Sequence, residues 1–254
     1  MTMKISKNHS LLLLFGISIF ITSCSDSLSD TTDGRLRYWI STLSSDEFEG
    51  RAPGTEGGKL TKNFISKTFQ DLNLDPVNGS YFLDVPASEI TLKDSSYLTL
   101  SFRGNDRKMI TGEEVVFWTK QAREYRKIRD SEVVFVGYGI VAPEYNWNDY
   151  DGIDVKGKTV VILINDPGFA TGKLRLFNGK SMTYYGRWTY KFEEAARQGA
   201  AAAIVIHEEE PAAYPWSVVE NSWQGPQLDL QRDDLGADRV ILEGWIRDST
   251  LNDV

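Results

Sequence analysis

Histidine and cysteine are nearly missing from this chain. Its 254 residues include two histidines, His9 and His207, and one cysteine, Cys24. One cysteine excludes a disulfide within the chain. A catalytic zinc ion needs about three His, Asp, Glu or Cys ligands and an open position. "HEEEP", which starts at His207, has Pro211 where a zincin helix needs its second histidine. The sequence also lacks the G-x-S-x-G of a serine-hydrolase elbow, and no phosphate-binding loop is expected. No apolar run is long enough for a comfortable membrane span. With 36 acidic against 28 basic residues, the net charge of −8 offers no electrostatic footprint for nucleic acid.

Hydrophobic residues make up 41% of the chain, enough for a packed core. The start reads as an export signal: Lys4 and Lys7, then an apolar run from Leu11 to Ile21 broken only by Gly16 and Ser18. "ITSC" follows and resembles the lipobox of bacterial lipoproteins, in which the cysteine is acylated. Cys24 is therefore the expected lipid attachment point. The expected location is outside the cytoplasm, held to a membrane and facing periplasm or cell surface. The expected segments are a signal peptide over 1–23, a polar tether over 24–34, a short helical piece over 35–84, a β-rich α/β domain over 85–246 and a linker over 247–254.

Within the helical piece, Leu36, Trp39, Ile40 and Leu43 fall at helical spacing. Gly50, Pro53, Gly54, Gly57 and Gly58 then interrupt regular structure. Thr55 is placed to cap a second helix, whose stripe is Leu60, Phe64, Ile65, Phe69 and Leu72, ending near Asn73. Asp46, Glu47 and Glu49 are read as turn chemistry with an ion pair to Arg51. Farther on, "YLTLSF" reads as a strand, "EVVFVGYGIV" as a buried strand and "KTVVILIND" as another. "RWTYKFEEAARQGA" is a helix with Trp188, Phe192, Ala195 and Ala196 on one face and Gly199 at its C-terminal end. "AAAIVIH" and "DRVILEGWI" are further strands. "NWNDYDGIDVKGK" fails the calcium-loop template, since Trp147 and Lys158 fall where ligands belong, and reads as a turn capped by Asp and Asn. Glu208, Glu209 and Glu210 read as a solvated edge.

Two stretches carry a resemblance. "LSSDEFEGRAPGTEGGKLTKNFISKTFQDLNLDP" resembles the N-terminal entry of the zinc aminopeptidase superfamily that includes glutamate carboxypeptidase. Asp46, Glu49, Gly50, Arg51, Gly54, Thr55 and Gly57 match its D-x-x-E-G-R-x-x-G-T-x-G motif in order. "VVFVGYGIVAPEYNWNDYDGIDVKGKTVVILINDPG" and "MTYYGRWTYKFEEAARQGAAAAIVIHEEEPAAYPWSVV" resemble the two halves of the protease-associated (PA) domain inserted in such enzymes. The resemblance implies a metallopeptidase with two zinc ions in the full-length family. No residue here aligns with the zinc ligands or general base, so this chain is expected to bind no cofactor and to be inactive alone. It also implies that the PA domain walls a substrate cleft, with Tyr184, Tyr185 and Arg187 as cleft residues. Expected partners are a peptide substrate or a catalytic domain, and a membrane through the lipid anchor. The alternative is a non-catalytic lipoprotein module that binds a peptide or protein through its PA domain.

Overall fold

The computed structural model describes residues 32–253; the expected signal peptide and Cys24 lie outside them. The chain divides into two compact units between Leu83 and Asp84.

The first unit is helical. Helix α1 spans Thr32–Leu43, a 3-10 turn spans Asp46–Arg51, and helix α2 spans Glu56–Asp71. The Thr55 hydroxyl accepts from the Gly58 amide at 3.1 Å, satisfying one free donor of the first turn. Past Leu72, Asn73 takes a positive φ of 55° and α2 stops. Phe48 is buried and meets Phe64 edge-on, with ring centroids 6.1 Å apart. Arg51 donates to the Leu43 carbonyl instead of pairing with the acidic trio. That corrects the expected ion pair: the 3-10 turn gives Glu49, Gly50 and Arg51 positive φ and aims the guanidinium back at the end of α1.

The second unit is mixed α/β. It opens with β1 (Ala87–Ile90), the hairpin strands β2 (Thr99–Phe102) and β3 (Asn105–Lys108), then β4 (Val115–Trp118) and β5 (Val133–Phe135). The short pair β6 (Val141–Ala142) and β7 (Trp147–Asn148) leads to β8 (Thr159–Leu163). Helix α3 (Pro167–Thr171) and helix α4 (Trp188–Arg197) precede β9 (Ala202–His207). Helices α5 (Glu209–Ala212) and α6 (Trp216–Trp223), then β10 (Gln227–Leu230) and β11 (Leu242–Arg247), complete the unit's strands and α-helices, and 3-10 turns lie at Pro143–Tyr145, Tyr184–Gly186 and Asp248–Asp253.

The central sheet has five strands in the order β4-β11-β9-β8-β5. β5, β8, β9 and β11 run parallel, and β4 joins antiparallel at one border. β9 is buried along its whole length, as a central parallel strand covered on both faces must be. Alternation places Val160, Ile162, Ala203, Val205 and Trp245 in one apolar layer. Val115, Phe117, Ile204, Ile206 and Ile246 form the other. Helix α4 covers the first layer with Phe192 and Ala195. Helix α6 lays Trp223 flat on Trp118, with centroids 3.4 Å apart and planes 4° from parallel.

"EVVFVGYGIV" is not one buried strand. β5 ends at Phe135, and Gly137 and Gly139 take positive φ, so the chain turns before β6. β5 is also a border strand, with Val133 and Phe135 exposed. "GIDVKGKT", Gly152–Thr159, fits the letters of a Walker phosphate loop, contrary to the expectation from sequence. Such a loop must lead from a strand into a helix. Here it leads into β8, Lys158 pairs with Glu132 at 3.0 Å, and the Thr159 hydroxyl donates to Ser131.

Candidate functional site

The segment from Asn165 to Arg187 joins the C-terminal end of β8 to the start of α4. Ligands of open α/β sheets gather at such carboxyl ends. Asn165 takes φ 70°, and Asp166 caps α3, with Pro167 at its first position. The fully buried Asp166 carboxylate accepts from the Gly168 amide at 3.1 Å, the Thr183 amide at 3.0 Å and the Thr183 hydroxyl at 2.7 Å. One carboxylate thus ties the beginning of the segment to its end.

Lys191 sits in the second turn of α4 and is fully buried. Its Nζ donates to the carbonyls of Tyr138 at 2.7 Å, Asn165 at 2.8 Å and Tyr185 at 3.1 Å. These belong to the turn after β5, the end of β8 and the 3-10 turn Tyr184–Gly186. Burial pulls the amine down to about 7, against the opposing charges of Asp149 and Asp166. The lysine fixes the relative positions of three segments.

Over this clamp lies an aromatic box. Phe177 is fully buried, stacks on Tyr145 at 4.2 Å and meets Trp147 and Tyr185 edge-on. Tyr185 packs against Tyr190 at 4.9 Å. The Tyr185 hydroxyl donates to Glu144 Oε1 at 2.6 Å; that bond, then burial, pushes the phenol up to about 12. The same bond holds Glu144 below its ordinary carboxylate value. Burial takes the Tyr190 phenol to about 12 as well. The Tyr184 hydroxyl donates to Glu193 at 2.9 Å. The Tyr184 and Tyr185 phenols are therefore neutral donors already committed to carboxylates.

Of the three cleft residues expected from sequence, Tyr184 is exposed and Tyr185 half-buried on the 3-10 turn, and Arg187 is exposed at the N-cap of α4. The Arg187 side chain has no hydrogen bond or ion pair among the described residues, and its charge reaches the half-buried phenol of Tyr214. The three share one short stretch, with roles divided: the tyrosines form a braced ledge and Arg187 is the open cation. Asp166, Lys191 and Glu144 escaped sequence reading. The one available signal was the "NDPG" break after β8, which marks Asp166 as a cap.

His207 ends β9 buried among Tyr214, Trp216 and Trp245. Burial lowers its pKa, and its Nε2 has no partner among the described residues. Among the described residues no three His, Cys, Asp or Glu side chains converge as a metal site requires. The residues described do not fit a two-zinc centre.

No protein-family model matches this chain, and no curated protein matches it. Among solved structures, an aminopeptidase from Aneurinibacillus sp. strain AM-1 is similar at 17% identity and a TM-score of 0.35. The likeness covers 84% of this chain and 40% of that one, so this chain spans less than half of the aminopeptidase. At that level the similarity carries no argument about activity.

Proposed function

We propose that this chain is the N-terminal and PA-domain portion of a zinc-dependent, aminopeptidase-like peptide hydrolase. In this reading the Tyr184–Arg187 ledge forms one wall of the substrate cleft. Peptide-bond cleavage belongs to a further catalytic domain, and the chain alone turns over no substrate. The exported location and the lipid anchor at Cys24 are part of the same proposal and rest on the signal-like start and the "ITSC" tetrapeptide.

One observation carries the reading: an exposed cation without a carboxylate partner among the described residues, on a ledge clamped from behind by Lys191 and Asp166. A planar guanidinium presents paired donors that suit a carboxylate. The tyrosines beside it are held by their own carboxylates and offer ring surface to a peptide. Asp46 to Gly57 add the ordered motif match of the first unit. That unit also exposes Leu60, Ile65, Phe69 and Leu72 along α2, an apolar stripe suited to further packing.

The test is titration of the protein with short peptides that carry a free C-terminal carboxylate, followed by tryptophan fluorescence. Wild type is expected to bind them in the millimolar range or tighter. Arg187→Ala should weaken binding about tenfold, close to the ~1.4 kcal/mol of one charge-assisted contact. Amidated peptides should bind the wild type as weakly as free peptides bind the variant. Equal affinity of wild type and R187A for free peptides would overturn the assignment. Aminoacyl anilides with added zinc should show no turnover by the chain alone.

A further inference from the structure

The two borders of the central sheet are finished differently. All four residues of β4 are buried. At the other border, Val133 is 47% and Phe135 57% exposed. The Thr159 amide bonds the Glu132 carbonyl at 2.9 Å, and the Val136 amide bonds the Val161 carbonyl at 3.1 Å. These bonds turn residues 132, 134 and 136 toward β8. The two-residue period of a parallel ladder then turns the peptide groups of Val133 and Phe135 outward. Among the described residues nothing bonds those outward groups.

The segment leading into β5 is equally open. From Glu124 to Asp130 no backbone amide donates a hydrogen bond among the described residues. Tyr125 is exposed. The segment carries Arg123, Arg126, Lys127 and Arg129 against two carboxylates, Glu124 and Asp130, in a chain whose net charge is −8. None of these four cations forms an ion pair among the described residues. The nearby Glu132 is already held by Lys158. Arg126 Nε is buried without a partner. Its guanidinium is lowered by burial and then by the charge of Arg123, so the two cations stand close together.

We propose that the β5 border is a binding site for an extended acidic peptide segment. The segment adds as a sixth strand on the outward peptide groups of Val133 and Phe135, and its carboxylates meet Arg126, Lys127 and Arg129. An open strand border is a template for another chain. The cations decide which chain. A second copy paired antiparallel about Val134 would fill the outward amides, but the stretch it lays beside the cations, residues 139–145, holds one carboxylate, Glu144, already bonded to Tyr185. A lipid surface would satisfy the cations and leave the outward amides without a strand partner. An acidic extended peptide satisfies both. This site goes beyond the Arg187 ledge and does not rest on it.

The probe is a fluorescein-labelled decapeptide of alternating glutamate and valine, titrated with the full chain by fluorescence anisotropy. Micromolar binding that weakens steeply with salt is expected. Reversal at the two exposed positions, Lys127→Glu and Arg129→Glu, should weaken it at least tenfold; both side chains lie at the surface, so the fold should persist. Phe135→Pro removes one outward amide and leaves the ladder to β8 intact, and should abolish binding. If that variant fails to fold, Phe135→Glu should weaken binding at least tenfold by setting a carboxylate against those of the peptide. The same peptide with every backbone amide N-methylated has no donor on either edge and should not bind. The proposal is overturned if the N-methylated or the lysine–valine peptide binds as well as the parent. It is also overturned if vesicles of 30% anionic lipid bind with the same residue dependence while the acidic peptide does not.

Discussion

Replacing Lys191 with methionine is expected to destabilise the second unit by about 3–5 kcal/mol, because the carbonyls of Tyr138, Asn165 and Tyr185 then face an apolar thioether. For a unit of this size that is a fall in melting temperature of roughly 10 °C. Methionine matches the lysine stem in length and adds no bulk, so the loss reports the missing donors and not a cavity. Thermal unfolding by circular dichroism measures it. A melting temperature within a degree or two of wild type would mean that the three segments hold together without the clamp.

The same comparison carries a pH signature. Burial brings Lys191 to about 7 in the folded chain, against its ordinary value of 10.5 when unfolded. Between those values the unfolded chain binds the extra proton, so stability must rise with pH across that window. Wild type should gain on K191M from pH 7 toward pH 10, by at most about 1.4 kcal/mol per unit, and the difference should be flat below pH 6. Tyr138, whose phenol burial raises, and the carboxylates Asp149 and Asp166 face the same amine but are common to both proteins. A difference that stays flat from pH 7 to pH 10 would show that the three carbonyls keep the ammonium charged against burial.

The second large effect is at Gly57. A Cβ there would stand 2.0 Å from the Phe48 carbonyl oxygen and 2.7 Å from its carbonyl carbon. Both are backbone atoms of the 3-10 turn and cannot rotate away. Gly57→Ala should therefore push α2 off that turn, expose Phe48 and cost roughly 3 kcal/mol, at the high end for overpacking. Gly54→Ala is the control. Its φ of +83° is strained for any side chain, but nothing lies within 4 Å, so about 1 kcal/mol is expected. Hydrogen exchange of the α2 amides reads both. Protection of α2 in G57A equal to that in G54A would remove this account of the motif.

Gly57 also shows what was legible in the letters. The glycines around Pro53 announced a break, and the stripe from Leu60 to Leu72 announced α2, because both signals are local. The close approach to Phe48 depends on the 3-10 turn and has no letter of its own. In the second unit, "AAAIVIH" was readable as β9 because a central parallel strand is apolar throughout. "EVVFVGYGIV" misled for the same reason. A β-branched run does not say which of its residues face a neighbour, and only Gly137 and Gly139 hinted at the turn. Val115–Trp118 went unread because four apolar residues suit a strand or a helix equally well. At the ledge, Tyr184, Tyr185 and Arg187 were legible as one polar-aromatic stretch before a helix, which is a local pattern. Lys191 was not, since a lysine between tyrosine and phenylalanine in an amphipathic helix looks like a solvent residue. Its burial is set by three carbonyls that arrive from elsewhere in the chain.

The indole rings of Trp118 and Trp223, face to face at 3.4 Å, are near enough for their ultraviolet transitions to mix. Such a dimer yields a split near-ultraviolet dichroism band that vanishes once the rings part. Because one ring belongs to β4 and the other to α6, the split band is a built-in optical gauge of whether that helix is seated on the sheet, readable without any added label.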